Sequence, residues 1–109
     1  MQKFCLTLDL KNDPQLIEEY IQQHKNVWPE ILSSITSSGI NNMEIYCLST
    51  RLFMIIEADN DFSFEKKNAL DQSNQKVQDW ETLMWKYQQS LPGSKPGEKW
   101  IMMEKIFTL

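Results

Sequence analysis

Met43-Glu44-Ile45-Tyr46-Cys47-Leu48-Ser49-Thr50-Arg51-Leu52-Phe53-Met54-Ile55-Ile56-Glu57-Ala58, near the middle of the chain, decides its fold. Two strand-like runs, Met43 to Leu48 and Leu52 to Ala58, flank the polar Ser49-Thr50-Arg51, a link short enough for an antiparallel hairpin. Upstream, Phe4, Leu6, Leu8 and Leu10 alternate with Cys5, Thr7 and Asp9, the period of two of a first strand. Asp13-Pro14 then reads as helix cap and first helical residue, because proline's fixed φ suits that position and its missing N–H is no loss there. Ile17, Tyr20, Ile21, His24, Trp28, Ile31 and Ile35 share one stripe of a 3.6-residue helix. Pro29 removes a hydrogen bond and pushes Trp28 out of α geometry, predicting a kink or short break there, and Gly39 ends the helix.

Downstream of the hairpin, Asp61 to Leu70 and Asn74 to Leu91 read as helical, the latter with Val77, Trp80, Met84 and Tyr87 on one face. Pro92, Gly93, Pro96 and Gly97 punctuate a loop, and Trp100 to Leu109 reads as a last strand. The order is β-α-β-β-α-β, the ferredoxin-like arrangement of the α+β class. Helices on one face of such a sheet leave apolar residues on the other uncovered, and a second copy can cover them. A homodimer of the α+β-barrel type is expected.

A chain of 109 residues is one domain, residues 1–109, and any larger site has to be shared between copies. Apolar residues at 41% and charged residues at 24% are those of a chain with a packed core. A net charge of −4 with no Lys/Arg cluster argues against nucleic acid as a partner. No apolar run reaches the length of a membrane span and Met1-Gln2-Lys3-Phe4-Cys5 lacks a signal-peptide core, so the expectation is a cytoplasmic protein without a membrane partner. Cys5 and Cys47 lack the C-x-x-C spacing and second histidine of a zinc set, so they read as reduced, mostly buried thiols with no metal.

His24 is the only histidine and sits on the apolar stripe with Tyr20 four residues before and Trp28 four after. A lone histidine in that setting can serve as a core residue bonded to a backbone carbonyl or a tyrosine. Its neighbours suggest a second use: an imidazole, a phenol and a large aromatic face on one patch suit a polyhydroxylated ring, and imidazole can both give and take a proton near neutrality. Trp85 lies about 100° from the Val77/Trp80/Met84/Tyr87 stripe, so it is a surface residue, an interface residue or a wall on which a ligand stacks, whereas Trp80 reads as core. Glu57 and Glu104 are candidates for a second acid/base, although strand carboxylates that merely face solvent are commoner.

Glu18-Glu19-Tyr20-Ile21-Gln22-Gln23-His24-Lys25-Asn26-Val27-Trp28-Pro29-Glu30 resembles the pattern E-E-Y-x-x-x-H-x-x-x-W-P-E of the L-rhamnose mutarotase family. Gly39 to Tyr46, Leu52 to Glu57 and Trp85-Lys86-Tyr87 follow in the family's order, so the resemblance covers essentially the whole chain. It implies a dimeric ferredoxin-like α+β barrel and a cofactor-free isomerase of the aldose 1-epimerase type, interconverting the α and β anomers of a 6-deoxy-L-hexose, L-rhamnose or L-fucose. It also implies His24 as proton donor, with Tyr20 and Trp85 binding the monosaccharide. Where the family has a tyrosine before the I-Y pair and a tandem Trp-Trp before Lys-Tyr, this chain has Met43 and Met84. Replacing a phenol by a thioether removes a donor to a sugar hydroxyl, which bears on which sugar is preferred. The rival reading, on likeness of fold alone, is a haem- or small-ligand-binding module of the same dimeric ferredoxin-like class, with His24 as axial ligand.

Overall fold

Strand alternation sets the layers of the molecule, seen in a computed structural model that describes residues 1–109. The first strand, β1 (Gln2–Leu10), is followed by helices α1 (Pro14–Gln23) and α2 (Pro29–Ser37), then by the hairpin β2 (Ile40–Leu48) and β3 (Arg51–Ala58). Helices α3 (Phe64–Gln72) and α4 (Gln75–Trp85) precede two short strands, β4 (Gln88–Gln89) and β5 (Ile101–Met102). The antiparallel sheet runs β2-β3-β1-β4, with β5 also on β1. This is the ferredoxin-like order, and no helix is long and apolar enough to cross a membrane.

Leu6, Leu8 and Leu10 of β1 pair with Met54, Leu52 and the turn side of β3, and these even-numbered residues are buried beneath the helices. Leu10 and Leu52 pack with Tyr20, Ile31, Val77, Trp80, Met84 and Tyr87 in one cluster, while Leu6, Met54 and Ile56 join Ile40, Ala58 and Phe62 in a second. The opposite face carries Cys5, Thr7, Phe53, Ile55, Tyr46 and Leu48, with Tyr46 54% and Leu48 80% exposed. No helix covers that face. The hairpin closes over only Ser49-Thr50, since Arg51 already pairs with Leu48, and Ser49 takes the left-handed φ of 55° that so tight a turn requires.

The fourth strand differs from its sequence reading. Gln88–Gln89 pairs with Asp9 and Leu10, and Ile101–Met102 pairs with Thr7 and Leu6, so one strand is assembled from two pieces around an excursion over residues 90–100. The apparent helix to Leu91 therefore stops at Trp85, because pairing with the exposed edge of β1 satisfies the backbone better than further helical turns. Of the run Trp100 to Leu109 only two residues join the sheet. Beyond them Ile106, Phe107 and Leu109 are fully or largely exposed.

Pro29 opens α2 at its first turn, with Trp28 held extended at φ −57° and ψ 135°. The expected kink is a complete break, and His24 is accordingly the C-cap of α1 and not a mid-helix residue. At the other end of α1 the Asp13 carboxylate accepts from the Gln15 and Leu16 amides at 2.9 and 3.3 Å. Asp13→Ala should lower the stability of the protein by about 1 kcal/mol, the usual value of such a cap, seen as a lower Tm in thermal melts. An unchanged Tm would mean that tertiary packing alone holds the start of α1.

Candidate functional site

Helix α1 ends in a way that leaves one carbonyl for a side chain. At the C-cap the His24 amide bonds the Ile21 carbonyl at 3.2 Å, a tightened last turn, and so does not occupy the Tyr20 carbonyl. The His24 ring takes it instead, with Nδ1 2.8 Å from that oxygen. A carbonyl only accepts, so Nδ1 carries the hydrogen, and in the neutral ring Nε2 is the nitrogen with a free lone pair.

The ring is fixed further by aromatic contacts. Its centroid lies 4.4 Å from that of Tyr20 and 5.8 Å from that of Trp80, the latter edge to face at 72°. Trp80 in turn meets Trp28 edge to face at 5.2 Å, so the residue after the break in the helical run buttresses the wall beside the histidine. Burial lowers the His24 pKa below its ordinary value, against the opposing pull of the Tyr20 carbonyl. The Tyr20 phenol is pushed up to about 12 by burial, with a side-chain interaction from Gln88 working against the rise and Cys47 adding to it. At neutral pH the site thus holds a neutral base beside a phenol that keeps its proton.

Both residues line a cavity of about 1170 Å³ between the helices and the sheet. Leu6, Met54 and Ile56 form part of its apolar floor, and Trp80, Met84, Gln88 and Lys99 contribute to its walls. Apolar walls with a few convergent polar groups are the usual make-up of a small-molecule site. Lys99 donates to the Glu81 carbonyl at 3.1 Å, and burial lowers its pKa although the Glu81 carboxylate opposes the shift. No three His, Cys, Asp or Glu side chains are grouped to hold a metal ion.

The residues singled out from sequence are distributed unevenly. Tyr20 and His24 come together in the cavity; Trp85 does not line it, and lies one side chain further out, with Lys99 Nζ 4.7 Å above its ring. Trp80, read as core, is buried but faces the cavity. Glu57 projects from the uncovered side of the sheet and Glu104 is exposed after β5, so neither reaches His24. Cys47, expected to be mostly buried, is an exposed residue whose side chain borders the cavity, and Cys5 is half-buried. Met43 and Met84 both line the cavity, which puts the two departures from the family pattern on its walls. Gln88 and Lys99 were not legible as site residues, because their placement depends on how the interrupted fourth strand docks on β1.

Because the folded-state pKa of His24 lies below the value of about 6.5 of an unfolded chain, the unfolded state takes up the proton first as the pH falls. This group leaves stability unchanged above about pH 6.5 and lowers it progressively below, down to the folded pKa. Melts between about pH 7.5 and 5 should therefore show a steeper fall in Tm for the wild type than for His24→Asn. Equal slopes would mean that the imidazole is not desolvated.

The family model for L-rhamnose mutarotase matches residues 3–109. The chain is 41% identical to an L-fucose mutarotase of Xanthomonas campestris pv. campestris over 111 aligned positions, covering 100% of this chain and 89% of the relative. It is 30% identical to an L-rhamnose mutarotase of Shigella flexneri, covering 84% of this chain and 83% of that one. Among solved structures, an L-rhamnose mutarotase from Formosa agariphila superposes with a TM-score of 0.73 at 19% identity, covering 100% and 99% of the two chains. The tetracenomycin F2 cyclase of Streptomyces glaucescens does so with a TM-score of 0.62 at 13% identity, over 100% and 99%, and at these identities the two structures speak for the fold. With a family match over nearly its whole length and a full-length relative at 41% identity, the chain belongs to the L-rhamnose mutarotase family.

Proposed function

We propose that this protein is a mutarotase that interconverts the α and β anomers of a 6-deoxy-L-hexose, with His24 as its acid/base and Tyr20 as a sugar ligand. The observation that carries this reading is the commitment of His24 Nδ1 to the Tyr20 carbonyl at 2.8 Å, which leaves a neutral ring with its basic Nε2 free beside the cavity. Nε2 takes the proton of the anomeric hydroxyl while the C1–O5 bond breaks, and the imidazolium then gives that proton to O5. The open-chain aldehyde forms, the C1–C2 bond rotates, and the reverse steps close the ring on the other face. Proton count and charge balance with one imidazole, and no cofactor takes part. The lowered pKa favours this order of events, because at neutrality the ring is already the base.

Tyr20 supports the reading as a neutral phenol able to donate to a sugar oxygen, and Trp80, against the His24 ring, offers an aromatic surface in the cavity. Trp80 lies one helical turn before Met84, so it returns an aromatic to the wall where the family's tandem tryptophan is reduced to Trp85. Trp85 keeps a family position for sugar binding, and in the present geometry it would act through Lys99, which shares its ring and borders the cavity. L-fucose is supported by the relative at 41% identity, L-rhamnose by the family as a whole. Saturation-transfer NMR on L-rhamnose, L-fucose and L-galactose side by side decides between them.

His24→Ala and His24→Asn should abolish accelerated anomer exchange, leaving only the uncatalysed rate, while circular dichroism shows a folded protein. Folded variants that exchange at the wild-type rate would remove the catalytic assignment. A homodimer is proposed on the uncovered sheet face, where Tyr46 and Leu48 stand in solvent, and on the exposed apolar residues Ile106 and Phe107. Sedimentation at micromolar concentration should give twice the 12.9 kDa chain mass, and a single-chain mass would contradict it.

A further inference from the structure

Gln88 is the polar side chain in the cavity that neither the fold nor the family pattern explains. It is 4% exposed, and its side-chain Oε1 has no hydrogen-bond partner. Buried amides ordinarily bond with both ends, and an unmet carbonyl is kept only where something pays for it. Its backbone stands opposite Leu10 in the β1–β4 pair, and cross-strand partners share a face, so the side chain lies on the helix side of the sheet, with Tyr20 and His24. The run Trp85-Lys86-Tyr87 that carries the family resemblance stops one residue short of it.

We propose that Gln88 is a sugar-binding and specificity-determining residue of this site, its Oε1 accepting a hydrogen bond from one ring hydroxyl of the bound hexose. The proposal rests on the mutarotase reading and adds to it a polar contact that the family motif lacks. Chemistry sets the partner: a carbonyl oxygen accepts and does not donate, so the group it awaits must carry a proton, as a sugar hydroxyl does. Tyr20 complements it. Both side chains line the same cavity, and the Tyr20 phenol, pushed up to about 12 by burial, keeps an O–H to donate at neutral pH. A hydroxyl both donates and accepts, so one ring position, or two adjacent ones, can be held between Gln88 Oε1 and the Tyr20 O–H. A hexose with a hydrogen or a wrongly oriented hydroxyl at that position would leave the carbonyl buried and unmet, and this is how a polar site rejects near-isosteric sugars. Met43 and Met84 in the walls have no comparable power to tell hydroxyls apart.

The test compares wild type, Gln88→Met and Gln88→Glu with L-fucose, L-rhamnose and the 2-, 3- and 4-deoxy analogues of L-fucose, reading affinity by chemical-shift titration and exchange by saturation transfer. In the wild type one deoxy analogue should bind at least about tenfold more weakly than its parent. In Gln88→Met the parent should weaken to the level of that analogue, the analogue itself changing less than about threefold. Gln88→Glu, which keeps an acceptor on the same stem, should retain the preference for the parent. Equal binding of the parent by Gln88→Met and wild type overturns the proposal, and so does a loss spread evenly over parent and all analogues. If Gln88→Met does not fold, a folded Gln88→Glu that no longer distinguishes the analogues overturns it equally. A wild-type protein that neither binds nor exchanges any of these sugars removes the mutarotase reading itself, whereas wild-type exchange with unaltered selectivity in Gln88→Met removes only Gln88.

Discussion

The bond from His24 Nδ1 to the Tyr20 carbonyl depends on a break in the first helical run, and much of the site depends on that bond. Had the helix continued, the His24 amide would have taken the Tyr20 carbonyl and the ring would have been free to turn to solvent. Pro29 prevents this. It cannot donate, it clashes with the turn before it, and it holds Trp28 extended, so the helical run is broken, α1 closes at His24 and a second helix starts at Pro29. One backbone constraint therefore sets the tautomer of the imidazole, frees Nε2, and delivers Trp28 to the flank of Trp80.

The surroundings of that ring are built by elements far apart in the chain. Helix α4 brings Trp80 and Met84, the pairing of β4 with the end of β1 brings Gln88, and the segment before β5 brings Lys99. Burial by these walls lowers the imidazole pKa and raises that of the phenol, so the same packing that closes the core keeps the base unprotonated and the donor protonated. Stability and proposed chemistry are thus coupled through desolvation. A protein of this size has little core to spare, and using part of it as a cavity makes the aromatic residues around His24 part of the core as well as of the cavity wall.

The fold was largely legible because its signals are local. Alternation in β1, the hairpin around Ser49-Thr50, the Asp13-Pro14 cap and the stop at Pro29 each rest on residues adjacent in sequence, and each lies where the pattern put it to within a few residues. Two features were misread for the same reason. Gln88–Gln89 looked helical and Trp100 to Leu109 looked like one strand, yet what decided them was the open edge of β1, which no window of neighbouring residues reveals.

The site divides along the same line. Tyr20 and His24 could be paired from sequence alone, since residues four apart on a helix share a face whatever surrounds them, and the motif around them carried the family. Which other groups reach the cavity was settled by long-range packing: Trp80 turned inward from a stripe that read as core, Trp85 stayed outside beneath Lys99, and Glu57 fell on the far side of the sheet. Gln88 is the extreme case, an unremarkable glutamine in an amphipathic run until a two-residue strand buries it against Leu10. Short-range periodicity determines which faces are apolar, and so the elements and the helix-borne pair; only the closing of the chain on itself determines which polar groups lose their water, and that loss is what turns a side chain into part of a site.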